Sequence, residues 1–276
     1  MLAGAAFVMT ATPGFADGVS FKDAPIAGDK LEWSGYVQGT NDYVFRGISQ
    51  NRREPTVQGG LDVTYGMFYV GTFASGINFK DTLAQAINNL DSHVEVDLYG
   101  GIKPKWGDVT FDFGVIAYTY PNSKVAHPYT YDPTYVEFKA GASMTVLKDV
   151  ALSGTIFVSP DFSGEVGKAV DLEGSVSKPI YKYADFDFAA SATLGHQFFD
   201  KSSGPAVLVP GSGFGTTPLE SYTYWNVGLT TTYKTNWSLD LRYWDTDLDL
   251  GKLPCGADTS VFQCGPSFSA TAKVAF

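Results

Sequence analysis

The sequence predicts an all-β fold: a transmembrane up-and-down antiparallel β-barrel of about twelve strands with both termini periplasmic. Three observations predict it. From Phe268 to the terminal Phe276 the chain alternates strictly, with Phe268, Ala270, Ala272, Val274 and Phe276 on one face and Ser269, Thr271, Lys273 and Ala275 on the other. A strand with one apolar wall, one mostly polar wall and an aromatic last residue suits a sheet standing between lipid and water. The same alternation recurs along the chain, broken by connections that are short and long in turn. Composition agrees, because 15% aromatic and only 17% charged residues, with 30 glycines, supply strands, close contacts and interfacial rings.

A mean hydropathy of −0.04 is too low for a helical membrane protein. No run of about 18 apolar residues follows the amino terminus, so only a closed barrel could cross a bilayer. Met1 to Ala16 is apolar and small, and Gly14-Phe15-Ala16 before Asp17 reads as a signal-peptidase site. Residues 1–16 are therefore expected to be a signal peptide, truncated at its start because it lacks Lys and Arg; an Ala-rich core helix is the alternative. Residues 17–30 follow as a short periplasmic segment and 31–276 as the barrel.

Strand by strand, the first is expected to turn Leu31, Trp33, Gly35 and Val37 outward and to run on, through a bulge near Thr40 and Asn41, to Tyr43 and Phe45. Val57, Gly59, Leu61, Val63 and Tyr65 form the second wall. Residues 67 to 76 form the third, with both faces too apolar to orient. Leu83, Ile87 and Leu90 fall at helical spacing, which predicts a short helix over 80–90 in an outer loop or folded into the pore mouth. Outward rows then follow from Val94 to Ile102, Val109 to Ala117, Val136 to Val146 and Val150 to Val158. The last rows run from Val170 to Val176, Phe186 to Leu194, Trp225 to Tyr233 and Trp237 to Tyr243.

The opposite faces carry most of the charges. Candidate pore-lining residues are Asp42, Arg46, Asp62, Glu95, Asp97, Asp112, Glu137, Lys139, Asp171, Glu173, Asp185, Asp187, Asp240 and Arg242. Acids outnumber bases, so a wet lumen would favour cations; ladders of ion pairs that plug the interior are the alternative. Barrels of about eight strands are filled by side chains and those of sixteen or more hold a wide channel, so about twelve predicts a narrow pore.

Other chemistries fit poorly. His93, Glu95 and Asp97 share a face, but same-face neighbours stand about 6–7 Å apart along a strand, too far for one metal ion without help from other strands. No metal or other cofactor is expected. His196 and Ser191 fall on opposite faces and no His-x-Ser pair exists, which argues against a lipase-like hydrolase. Pro210 to Gly215 lacks the lysine and the strand-to-helix setting of a phosphate loop. Cys255 and Cys264 are the whole thiol inventory, in a Gly/Pro/Asp-rich connection, and an exported chain lets them pair as a disulfide. The formal net charge of −10 argues against nucleic acid or anionic lipid as a partner.

The block Asp42-Tyr43-Val44-Phe45-Arg46-Gly47-Ile48-Ser49-Gln50, with Gln58-Gly59-Gly60-Leu61-Asp62, resembles the opening of the TorF-type porin-like proteins of proteobacteria. Glu95 to Gly101, Tyr118 to Pro121 and Trp244 to Asp247 resemble that family's later blocks in the same order. The resemblance implies a porin-like channel in the bacterial outer membrane, with outer-membrane lipid, small hydrophilic solutes and the barrel-assembly machinery as partners. Phe276 is then the assembly signal. A closed barrel acting through its outer loops is the rival reading.

Overall fold

The computed structural model describes residues 30–78, 92–121, 123, 133–147, 149–163, 167–200, 206–209, 213–216, 220–248 and 264–276. Twelve strands form one closed wall: β1 (Leu31–Thr40), β2 (Thr56–Tyr65), β3 (Phe68–Gly76), β4 (Val94–Ile102), β5 (Val109–Thr119) and β6 (Tyr135–Val146). The circuit continues with β7 (Val150–Ser159), β8 (Ala169–Tyr183), β9 (Phe186–Phe199), β10 (Tyr222–Tyr233), β11 (Trp237–Thr246) and β12 (Ser267–Ala275). Each pairs antiparallel with the next, and β12 returns to β1 with Tyr36 opposite Ala275 and Thr40 opposite Thr271. Closure leaves no unpaired edge in the wall.

Among the described residues there is no helix. The helix expected over 80–90 lies outside them, as do the signal peptide, the segment from Asp17 to Asp29, His127 and Cys255.

Period-2 alternation sets the two faces. Leu31, Trp33, Phe68, Leu98, Phe138, Leu194 and Phe268 are all exposed on the outside, each more than half uncovered. The third wall, ambiguous in sequence, turns Phe68, Val70 and Ala74 outward and Tyr69, Phe73 and Ser75 inward. Tight turns close one end of the barrel. Gly66 there takes a φ of 57° and Ala184 one of 50°, the left-handed conformation that tight hairpin loops require. In β8 the register slips between Pro179 and Tyr181, where the missing proline N–H interrupts the ladder.

The first strand corrects an expectation. It ends at Thr40, and Tyr43 and Phe45 do not continue its outward row; the chain turns into the barrel instead, and Tyr43 is 1% exposed. Asn41 covers the break with its side chain, donating to Phe268 O at 3.0 Å and accepting from Ala270 N at 2.5 Å. The amide thereby replaces a strand residue in the ladder.

The interior differs along the barrel axis. Towards the tight turns, inward Ser143, Ser153, Thr230 and Lys273 remain partly or fully exposed. Towards the long connections, inward Phe73, Ile116, Glu137, Asp171, Tyr224 and Trp244 are each 1% exposed and the space is packed.

Candidate functional site

The packed end is built around residues 41–55, which leave β1 and fold into the lumen. A small hairpin, Val44–Phe45 against Ile48–Ser49, carries Arg46 and Gly47 at its tip. Both tip residues have positive φ, 47° and 81°, the pairing a type I′ turn demands. A Cβ on Gly47 would lie 2.5 Å from Thr246 Cγ2 and 2.9 Å from Tyr224 Cβ, so the tip fits against the wall only as glycine. Inside the loop, Ser49 donates to Asp42 Oδ1 at 2.6 Å, and the Tyr43 amide donates to Asn51 Oδ1 at 2.9 Å. Asn51 Nδ2 donates to Glu54 O.

From this tip Arg46 reaches the far wall. Its Nη1 and Nη2 donate to Glu137 Oε1 and Oε2, each at 2.8 Å, and Nη1 also donates to Gln197 Oε1 at 2.8 Å. Nε lies 3.5 Å from Asp171 Oδ2. The guanidinium lies 5.0 Å from the Phe157 ring centroid. Residues on β6, β7, β8 and β9 thus hold one cation supplied by the loop after β1. A forked guanidinium suits two parallel contacts with one carboxylate better than an ammonium would.

The other expected lining residues fall at several levels. Glu95 accepts from Tyr43 Oη at 2.6 Å, tying the loop to β4 as well. Asp62 accepts from Tyr99 Oη at 2.8 Å. Asp112 holds Lys139 Nζ at 2.6 Å and Tyr69 Oη at 2.8 Å. Asp171 and Glu173 both accept from Tyr224 Oη, at 3.1 and 3.3 Å. Arg242 fans out to Asn226 at 2.5 Å, Ser191 at 3.0 Å and Asp240 at 3.0 Å. Asp97 is 0% exposed, and neither of its carboxylate oxygens has a hydrogen-bond partner among the described residues.

Two candidates sit at the tight-turn end. Asp185 lies in the exposed turn between β8 and β9 rather than on the inner wall. Asp187 pairs with Lys182 at 2.8 Å near the same turn, with both side chains about half exposed or more, where water screens the pair. His196 and Ser191 point to opposite sides, His196 to Thr223 on the outer face and Ser191 to Arg242 inside.

Charge alone missed the tyrosines. Tyr69, Tyr99, Tyr118 and Tyr224 all point inward and donate to lumen carboxylates. A run of ring contacts, Tyr118 stacked on Tyr135 at 4.4 Å, Tyr135 tilted against Phe162 at 4.6 Å and Phe162 edge-on to Phe199 at 5.4 Å, crosses the packed end. Their inward positions could have been read from the same alternation that oriented the acids.

Among the described residues the buried charged side chains are seven acids, Asp42, Asp62, Glu95, Asp97, Glu137, Asp171 and Glu173, against four bases, Arg46, Lys103, Lys139 and Arg242. Fold and interior together define a closed twelve-stranded antiparallel barrel whose polar interior is partly exposed towards its tight turns and crossed by a loop at its other end. The chain belongs to a family described as bacterial protein of unknown function (Gcw_chp), matched over residues 27–268. No curated protein matches it in sequence. Its fold is similar to that of the KdgM porin, with a TM-score of 0.54 and 8% identity over 89% of this chain and 99% of that one. The NanC porin is similar too, with a TM-score of 0.50 and 14% identity over 88% and 98% of the two chains. A structure of the KdgM porin in complex with disordered oligogalacturonate gives 0.51 and 8% over 89% and 99%. At these identities the likeness is one of fold.

Proposed function

We propose that the chain is an outer-membrane channel for passive diffusion of small hydrophilic solutes, with a preference for cations, and that residues 41–55 form its constriction. The observation that carries this reading is the axial division of the interior: a polar, partly exposed half that leads to a loop pinned across the lumen by Arg46 and Glu137. The excess of acids over bases among buried residues supports the cation preference. A polyanion such as the oligogalacturonate seen with the KdgM porin would meet repulsion here. Similarity of fold to two porins supports the assignment to the outer membrane, and the TorF-type resemblance of Asp42 to Asp62 points the same way. The test is planar-bilayer conductance of the purified protein, with the reversal potential in a salt gradient. Steady conductance with a cation-ward potential is expected.

The same reading takes Met1 to Ala16 as an export signal, both termini as periplasmic and Phe276 as the residue read by the barrel-assembly machinery. It also pairs the buried Cys264 with Cys255 in a disulfide on the side of the long connections. A second reading has its own observation. The loop end is packed so that Tyr43, Arg46, Asp97 and Trp244 are each at most 1% exposed, which suits a barrel that stays shut and acts through its outer loops. Absence of conductance at any voltage would favour that rival.

A further inference from the structure

One interior carboxylate, with neither oxygen hydrogen-bonded among the described residues, stands in an aromatic setting. Asp97 on β4 is directly opposite Phe73 on β3 and Tyr118 on β5, so rings flank it on both sides. The loop adds two more: Tyr43 stands edge-on to Phe73 at 6.0 Å, and Phe45 edge-on to Tyr118 at 5.8 Å. Neighbouring acids are already engaged. Glu95 accepts from Tyr43 and Glu137 is forked by Arg46. The charged groups acting most strongly on Asp97 are these same two acids, and neither can neutralise it.

A buried carboxylate with no donor is costly unless a cation joins it or it takes up a proton. Among the described residues no three His, Cys, Asp or Glu side chains converge as a metal cage, which disfavours a divalent ion. A carboxylate with aromatic neighbours is the composition that attracts an ammonium ion, through its charge and the ring quadrupoles. We infer that Asp97, with Phe73 and Tyr118 as its cross-strand neighbours and Tyr43 and Phe45 packed on those two rings, is a binding site for a small ammonium-class monovalent cation. Tyr43 and Phe45 pack on those rings, so a cation held beside Asp97 steadies residues 41–55 against β3, β4 and β5. The inference goes beyond the channel reading and does not need it, since a barrel that conducts nothing can still bind a cation.

Thermal unfolding of the detergent-folded protein tests it, in ammonium, sodium and choline chlorides at equal ionic strength. A ligand that binds only the folded state raises the midpoint saturably. The expected result is a saturable rise with ammonium above that with choline, lost in Asp97→Asn and weakened in Phe73→Leu. Phe73→Leu keeps the carboxylate and so serves if the first variant does not fold. Equal midpoints in the three salts overturn the inference, as does an ammonium response that survives Asp97→Asn. A site occupied only by a proton gives the first of these results. Bilayer conductance is measured separately, so a silent channel with an ammonium response refutes the channel and leaves the site standing.

Discussion

Arg46 and Glu137 meet end to end across the barrel, Nη1 to Oε1 and Nη2 to Oε2, both at 2.8 Å, though 91 positions separate them in the chain. Both side chains are at most 2% exposed. Removing one member of such a pair leaves the other charge buried and unmatched. Arg46→Ala is therefore expected to destabilise the barrel by about 3–5 kcal/mol and to free the loop tip. Denaturant unfolding and single-channel recording measure the two effects. A variant with parental stability and parental current would show that the fork holds nothing shut.

Gly47→Ala tests the same tip from its backbone. An alanine there must hold a φ of 81° and place its Cβ 2.5 Å from Thr246 Cγ2. The expected result is a lower melting midpoint together with altered conductance, because the tip can no longer seat against β10 and β11. Circular dichroism melting checks the first and bilayer recording the second.

The faces of the strands were legible in sequence because a two-residue period needs no knowledge of distant partners. Leu31, Val57, Phe138 and Trp237 could each be assigned from their neighbours. The inward turn of residues 41–55 was not legible in this way. Tyr43 and Phe45 preserve the alternation of β1, so local pattern extends the strand past Thr40. What redirects the chain is non-local: Glu137, Asp171 and Gln197 stand on strands far along the sequence, and only their convergence makes a buried site for Arg46. Asp185 failed for the opposite reason. It keeps the period of the wall but occupies a turn, where the period carries no information about facing.

Selectivity is expected to respond to Asp112. Its carboxylate is held by Lys139 and Tyr69 part-way down the lumen. Asp112→Asn removes one negative charge and the counter-charge nearest to the Lys139 ammonium, so the reversal potential is expected to move towards anions at about 0.1 M salt. The shift should shrink at about 1 M, where the Debye length falls from about 10 Å to about 3 Å. A potential unchanged at low salt would locate the selective charges elsewhere.

Deleting Phe276 is expected to lower the yield of folded barrel more than the yield of chain. Phe276 and Gly35 exchange backbone hydrogen bonds of 2.9 and 3.0 Å, and the phenyl ring lies over the open face of Gly35, 2.9 Å from where a Cβ would stand. The comparison of boiled and unboiled samples on a detergent gel reads the folded fraction. Full heat-modifiable yield from the deletion would contradict this role.

For the cysteines the expected outcome is a Cys255 to Cys264 bond in exported protein. Alkylation without reduction, followed by mass spectrometry, would then find neither thiol labelled. Conductance in Cys255→Ser should match the parent, with the bond tethering the connection between β11 and β12.

The pairing of β1 with β12 also governs the order in which the molecule can be made. Thr40 and Thr271 bond to each other across 231 positions, so the first strand waits for the last before the circuit can close. Holding ends so far apart in sequence costs about 5 kcal/mol of chain entropy on logarithmic scaling, and such distant contacts form late. Until the final residues emerge, the growing sheet carries two bare edges, each a template for pairing with another chain. The hazard of aggregation is therefore concentrated in the interval before the circuit closes, and a chain cut anywhere before β12 keeps it for good.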